Sequence, residues 1–210
     1  MPSLTPLHRF SATMVRAEYL FDLQEALKSA PQAQKARRSD VVRAAVVLAV
    51  AAMDAYFTDK YCSLLVPYIK KHGANQRIEQ RLTSAGLDID QALQMALMKR
   101  PHARVLSLMR RHLDRKTTQG RKAIDGLYKD YRIDSLVQDT VDAVGRKTLF
   151  RRIEILVDRR HQIAHSGDLN AKGKANQVKY DDLKAKVADI KVLVHRADYL
   201  LYEKLGELGT

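Results

Sequence analysis

Apolar residues recur along this chain at spacings of three and four, and no stretch sustains a two-residue alternation. That pattern predicts an all-α fold without a defensible strand. Ala, Leu, Arg, Lys and Gln are abundant, and Gly and Pro are scarce inside the periodic segments, which agrees. Thr5 followed by Pro6 predicts a helix start, with Phe10, Met14, Ala17, Phe21 and Leu27 facing inward and a stop before Pro31. The polar stretch 32–38 reads as a linker. Ser39 or Asp40 is placed to cap a second helix. Its nearly all-apolar run from Ala44 to Met53 predicts a central position with neighbours on most sides, and Pro67 should kink or end it.

From Gly73 to Gly145 the pattern breaks into short helices and reads as a helical insertion. Asp88 with Gln91 resembles a capping box, Pro101 suits a first helical turn, and Gly145 suits a C-terminal cap. Thr148 then opens a helix that continues through Arg160 and stops at Gly167, and the segment to Gln177 looks like an exposed loop. Leu183, Val187, Ile190, Val194, Ala197, Leu201 and Leu205 form the seam of a long final helix, fit for the core or for a partner chain. No internal repeat or low-complexity tract changes this layout. One domain over residues 1–210, with the insertion at 73–145, is expected.

Charge changes the picture next. The chain's 37 Lys and Arg against 24 Asp and Glu give a net charge of +13, which favours encounter with polyanions such as nucleic acid. Between Lys99 and Lys116, Arg104, Arg110 and Arg111 stand among several cations that would track phosphates or merely solvate a helix face. No aromatic residue interrupts that stretch, so base stacking has no support there. Cys62 is the only cysteine, which excludes an internal disulfide and a four-cysteine metal cluster, and a reducing cytoplasm is expected. The first residues lack a secretory pattern. The longest apolar run falls short of the ~20 residues a membrane span needs, so no membrane partner is expected. Neither a glycine-rich phosphate loop nor a serine nucleophile elbow is visible, leaving little support for nucleotide or ester hydrolysis.

Candidate chemistry concentrates between Asp158 and Asp168. Leu149, Ile153, Leu156 and Val157 form an apolar stripe that Arg160 extends, and an inward guanidinium requires a carboxylate, backbone carbonyls or a phosphate. Asp54, on the central helix, is a candidate partner. Glu154, Asp158, His161 and His165 fall on a second stripe, which gathers acids and imidazoles. Taken alone, His165 reads first as a complement to the helix dipole.

Arg160-His161-Gln162-Ile163-Ala164-His165 resembles the motif of the HEPN superfamily: Arg, four to six residues, then His, with a polar residue after the Arg. Its place near the end of a penultimate long helix fits, as does the resemblance of Ala44 to Tyr56, including Asp54, to that family's acidic central helix. The wording from Val157 to His165 is similar to the RiboL-PSP-HEPN branch. The resemblance implies a HEPN-like helical bundle, with long central and C-terminal helices, that acts as a metal-independent endoribonuclease in toxin–antitoxin or antiphage systems. Its motifs would meet across a homodimer, with an antitoxin or regulatory protein as a further partner.

On that reading His165 is the principal acid/base, Arg160 binds phosphate and stabilises the transition state, and His161 positions or relays protons. Asp54 and Asp158 support them, and Arg159, Arg104, Arg110 and Arg111 bind the nucleic acid. RNA is the expected partner, and no cofactor and no metal are expected. A neutral imidazole suits removal of the ribose 2′-hydroxyl proton near neutral pH. Competing readings are a noncatalytic HEPN-like nucleic-acid-binding or interaction module, a zinc site on His161 and His165, and a structural helical adaptor. The zinc site lacks an evident third ligand, and Gln162 stands where a metalloprotease needs its glutamate.

Overall fold

Thr5 accepts a hydrogen bond from the His8 amide (3.2 Å) and so caps α1 (Pro6–Ala26), the start that Thr-Pro predicts. The structure, a computed structural model, describes residues 4–27 and 35–206. On α1 the inward stripe is Phe10, Met14, Ala17, Phe21 and Gln24. Leu27 ends the helix only half-buried, because Gln24 holds the stripe's next inward position.

The central helix α2 (Lys35–His72) corrects one expectation, its starting point. It starts ahead of Ser39 and Asp40, because Lys35 to Arg38 are good helix formers and extend it into the expected linker. The rest of that linker lies outside the described residues. The helix also runs past Pro67 to His72. Proline removes one helical bond, but the turn beyond it is anchored: Tyr68 is buried with its ring 4.9 Å from that of Tyr131. Among the described residues α2 is long and apolar enough to cross a membrane, with mean hydropathy 1.7 over its most apolar window. That window is 56% buried inside the protein, and Ala45, Val46, Ala49, Val50 and Met53 are wholly covered.

The segment expected to be an insertion consists of short helices joined by turns: α3 (Gln76–Ser84), α4 (Ile89–Ala96), α5 (Pro101–Leu113), α6 (Arg121–Tyr128), a 3-10 turn at Lys129–Tyr131, and α7 (Leu136–Val144). Asp88 caps α4 through the Gln91 amide (2.7 Å), Pro101 opens α5, and Gly145 closes α7 at φ +72°. α8 (Leu149–Ser166) follows, with Thr148 at the capping position but making no side-chain capping bond. α9 (Tyr180–Leu205) completes the set, and all seven seam residues on it are buried.

Helix α2 packs against α1, α5, α8 and α9. One buried cluster runs from Phe10 on α1 through Tyr56, Phe57 and Tyr61 on α2 to Tyr128 on α6, Leu156 on α8 and Leu193 on α9. The insertion thus shares the core of the long helices. Buried carboxylates tie elements together. Asp130 accepts from Tyr61 and Arg81, and Asp189 accepts from Arg146 (2.6 Å) and Arg152 (2.5 Å).

Candidate functional site

Helix α8 places Arg160 by continuing its buried face. Leu149, Ile153, Leu156 and Val157 are covered, and Arg160, next on that face, is half-buried where α8 meets α2. Opposite it, α2 presents Ala51 and Ala55, whose small side chains leave a cavity of about 350 Å3. Asp54, Thr58 and Asp59 form the α2 wall, and Leu113, Asp114 and Lys116 close it from the end of α5. The Arg160 Nε is buried and has no hydrogen-bond partner. An unsatisfied buried guanidinium nitrogen is costly to keep, and a guanidinium that lines a cavity suits a ligand with anionic oxygens.

Asp54 is occupied elsewhere. Its carboxylate accepts from the Thr118 amide (2.6 Å) and from Gln119 Nε2 (2.8 Å), which pins the segment after α5 to the cavity wall. Among the described residues no ion pair joins Asp54 to Arg160. Both line the same cavity, and Asp54 shapes it by holding that loop.

Directly after Arg160 and within the last turns of α8, His161 and His165 stack with ring centroids 6.0 Å apart and planes within 5° of parallel. The i,i+4 spacing on α8 brings them together. His161 is half-buried, and His165 is exposed in the last turn, where the helix dipole favours a cation. Neither ring is among the described residues that line the Arg160 cavity. Asp158 is exposed and opens instead onto a cleft of about 320 Å3 between α8 and α9, with Arg159, Gln162 and Lys179. Among the described residues, no three His, Cys, Asp or Glu side chains stand close enough to hold a metal ion together.

Sequence reasoning missed Asp168. The predicted exposed loop after Gly167 begins with a carboxylate of 0% exposure. Asp168 Oδ2 accepts from Arg43 Nε (2.7 Å) on α2 and from Arg159 Nη2 (2.7 Å) on α8, and Oδ1 accepts from Asn176 Nδ2 (3.1 Å). Arg159 also donates to the Gln177 carbonyl (3.1 Å). Arg159 is therefore engaged in fastening the loop to the helices that bear the motif, away from free solvent. The available signal was Arg43, an arginine inside an apolar helix face, which needs a buried acid as Arg160 needs a ligand.

The α5 arginines fall into two groups. Arg110 shares Asp59 with Arg9, at 3.6 and 3.1 Å respectively. Arg104 and Arg111 are exposed, belong to no ion pair among the described residues, and line a separate pocket on the far side of α5.

The family model described as RiboL-PSP-HEPN matches residues 16–203, nearly the whole chain and including both α2 and α8. Among curated proteins and among solved structures, none matches it.

Proposed function

This chain belongs to the RiboL-PSP-HEPN family, and from that premise we propose that it is a metal-independent endoribonuclease. At the coarser level the family supports an RNase or nucleotide-binding module. The observation that carries the finer reading is that Arg160, which lines a cavity and keeps a buried Nε without a partner, directly precedes the stacked His161–His165 pair on α8.

In this reading His165 takes the proton from a ribose 2′-hydroxyl, and the freed oxygen forms a bond to the adjacent phosphorus. The bond from phosphorus to the 5′-oxygen breaks, and an imidazolium returns a proton to that leaving oxygen. The products are a 2′,3′-cyclic phosphate and a 5′-hydroxyl. Arg160 donates to the phosphoryl oxygens, whose charge grows as the reaction proceeds. His161, stacked on His165, positions it or supplies the second proton. Because the histidines sit outside the Arg160 cavity of one chain, a second copy is assigned the complementary half. The active species is a homodimer with the two α8 ends facing each other.

The test is incubation of the purified chain with single-stranded RNA in excess chelator. Cleavage with cyclic phosphate ends supports the reading, and substituting a 2′-deoxyribose at the cut position should stop it, since DNA lacks the nucleophile. The exposure of His165 favours one other reading, a noncatalytic module that binds RNA through Arg160 alone. Tight RNA binding without any product selects it. A toxin or antiphage role under an antitoxin's control is the setting in which such an activity fits.

A further inference from the structure

The end of α5 divides two cavities. Leu113, Asp114 and Lys116 face the Arg160 cavity, and Arg111, His112 and Arg115 face a second pocket of about 360 Å3. Alternation among consecutive residues 111–116 makes the two cavities neighbours. Arg104 and Arg111, seven positions apart on α5, share a helix face, and Arg115 in the turn after the helix lines the same pocket. Each is exposed, and none has a carboxylate partner among the described residues. Among the described residues no acid lines this pocket; its remaining walls are Leu108 on α5, Ser84 to Gly86 at the end of α3, and Gln91 on α4.

Two further atoms point to a ligand. Gln91 Oε1 and His112 Nε2 are both buried and both lack a hydrogen-bond partner. Gln91 stands where a capping box would use its side chain to accept from the Asp88 amide, yet only the Asp88 half of the box is made. His112 is bonded to the Ser84 backbone; burial, then Lys116, Arg81 and Arg115, lower its pKa below that of an ordinary histidine. The ring is thus neutral near pH 7, and Nε2 offers a lone pair. The pocket combines three unpaired guanidinium groups with two unpaired acceptors. Its occupant must carry an anionic group together with hydroxyl or amino donors, and a ribonucleotide unit has both.

We propose that this pocket is a second RNA subsite, seating a backbone phosphate on Arg104, Arg111 and Arg115 and the ribose or base donors of the same nucleotide on Gln91 and His112. It rests on the RNA reading of the Arg160 cavity and extends it: one strand passes over the end of α5 and occupies both. The insertion then sets which stretch of RNA reaches the motif, and does so through the ribose as well as through charge.

The test is equilibrium binding of a labelled single-stranded RNA, and of DNA of the same sequence, to the full chain carrying His165→Ala, across a salt series. Further substitutions are made singly in that background, with thermal unfolding to show that each remains folded. Arg111→Gln should weaken RNA binding about tenfold and reduce the slope of log affinity against log salt by about 0.7. Lys122→Gln removes an equal charge from an exposed position on α6 and should change affinity less than about twofold. Gln91→Ala should cost RNA about fivefold and DNA nothing, narrowing the preference between them. Equal losses from Arg111→Gln and Lys122→Gln, or an unchanged RNA-to-DNA ratio with Gln91→Ala, would overturn the subsite. Pocket-dependent binding by a native chain that never cuts RNA would contradict only the nuclease reading. Chelator-resistant cutting indifferent to Arg111 would contradict only the subsite.

Discussion

Arg160 and Asp168 illustrate two fates of a buried charge. Asp168 is compensated, by Arg43 and Arg159 together, and Arg160 keeps a buried nitrogen without a partner. Removing one member of a compensated buried group leaves the others exposed to the full desolvation cost. Asp168→Ala should therefore lower stability by about 3–5 kcal/mol, read as a shift of the urea midpoint; a shift below about 1 kcal/mol would mean that the latch is dispensable. Cys62 makes a second prediction. Burial, partly offset by Arg110, pushes its thiol from 9.0 up to about 12. A folded-state pKa raised above the unfolded one adds stability that is complete below the unfolded value and is lost as pH rises from 9 towards 12. The thiol should resist alkylation at pH 8 until denaturant unfolds the chain; rapid labelling of the folded protein would contradict its burial.

Helix boundaries were legible because their causes are local. Thr5 with Pro6, Asp88, Pro101, Gly145 and Gly167 each mark an end through one side chain or one backbone angle. The α9 seam was equally readable, since burial follows its three-and-four spacing. What could not be read was joined over distance. Arg43 and Asp168 are 125 positions apart, and Asp54 meets Thr118 and Gln119 only once the insertion has folded onto α2. That Pro67 does not end α2 has the same kind of cause, because the contact of Tyr68 with Tyr131 anchors the turn beyond it. The motif was legible as a spacing, but its distribution between a cavity and an exposed helix end was not. The boundary at Gly167 is itself testable. Its φ of +62° is one that other residues adopt at a cost, and an added Cβ would meet nothing closer than Leu169 at 3.9 Å. Gly167→Ala should thus cost about 1 kcal/mol through backbone conformation alone, seen as a small fall in Tm; an unchanged Tm would show that the turn yields.

At the level of the complete chain, a net charge of +13, a core shared between the long helices and the insertion, and two neighbouring cavities at the end of α5 fit one account. On the proposed function, the basic surface gathers RNA, segment 73–145 seats it, and α8 presents the groups that act on it. The account needs two copies, because among the described residues His165 does not line the cavity that Arg160 lines, and the mass of the protein in solution should be that of a dimer. The most direct measurement compares the native chain with His165→Ala on single-stranded RNA in excess chelator, with product ends identified and thermal unfolding recorded for both. The account predicts cyclic phosphate ends from the native chain, a loss of at least ~100-fold in rate for the variant, and matching unfolding curves. Undiminished cutting by a folded His165→Ala protein would contradict it.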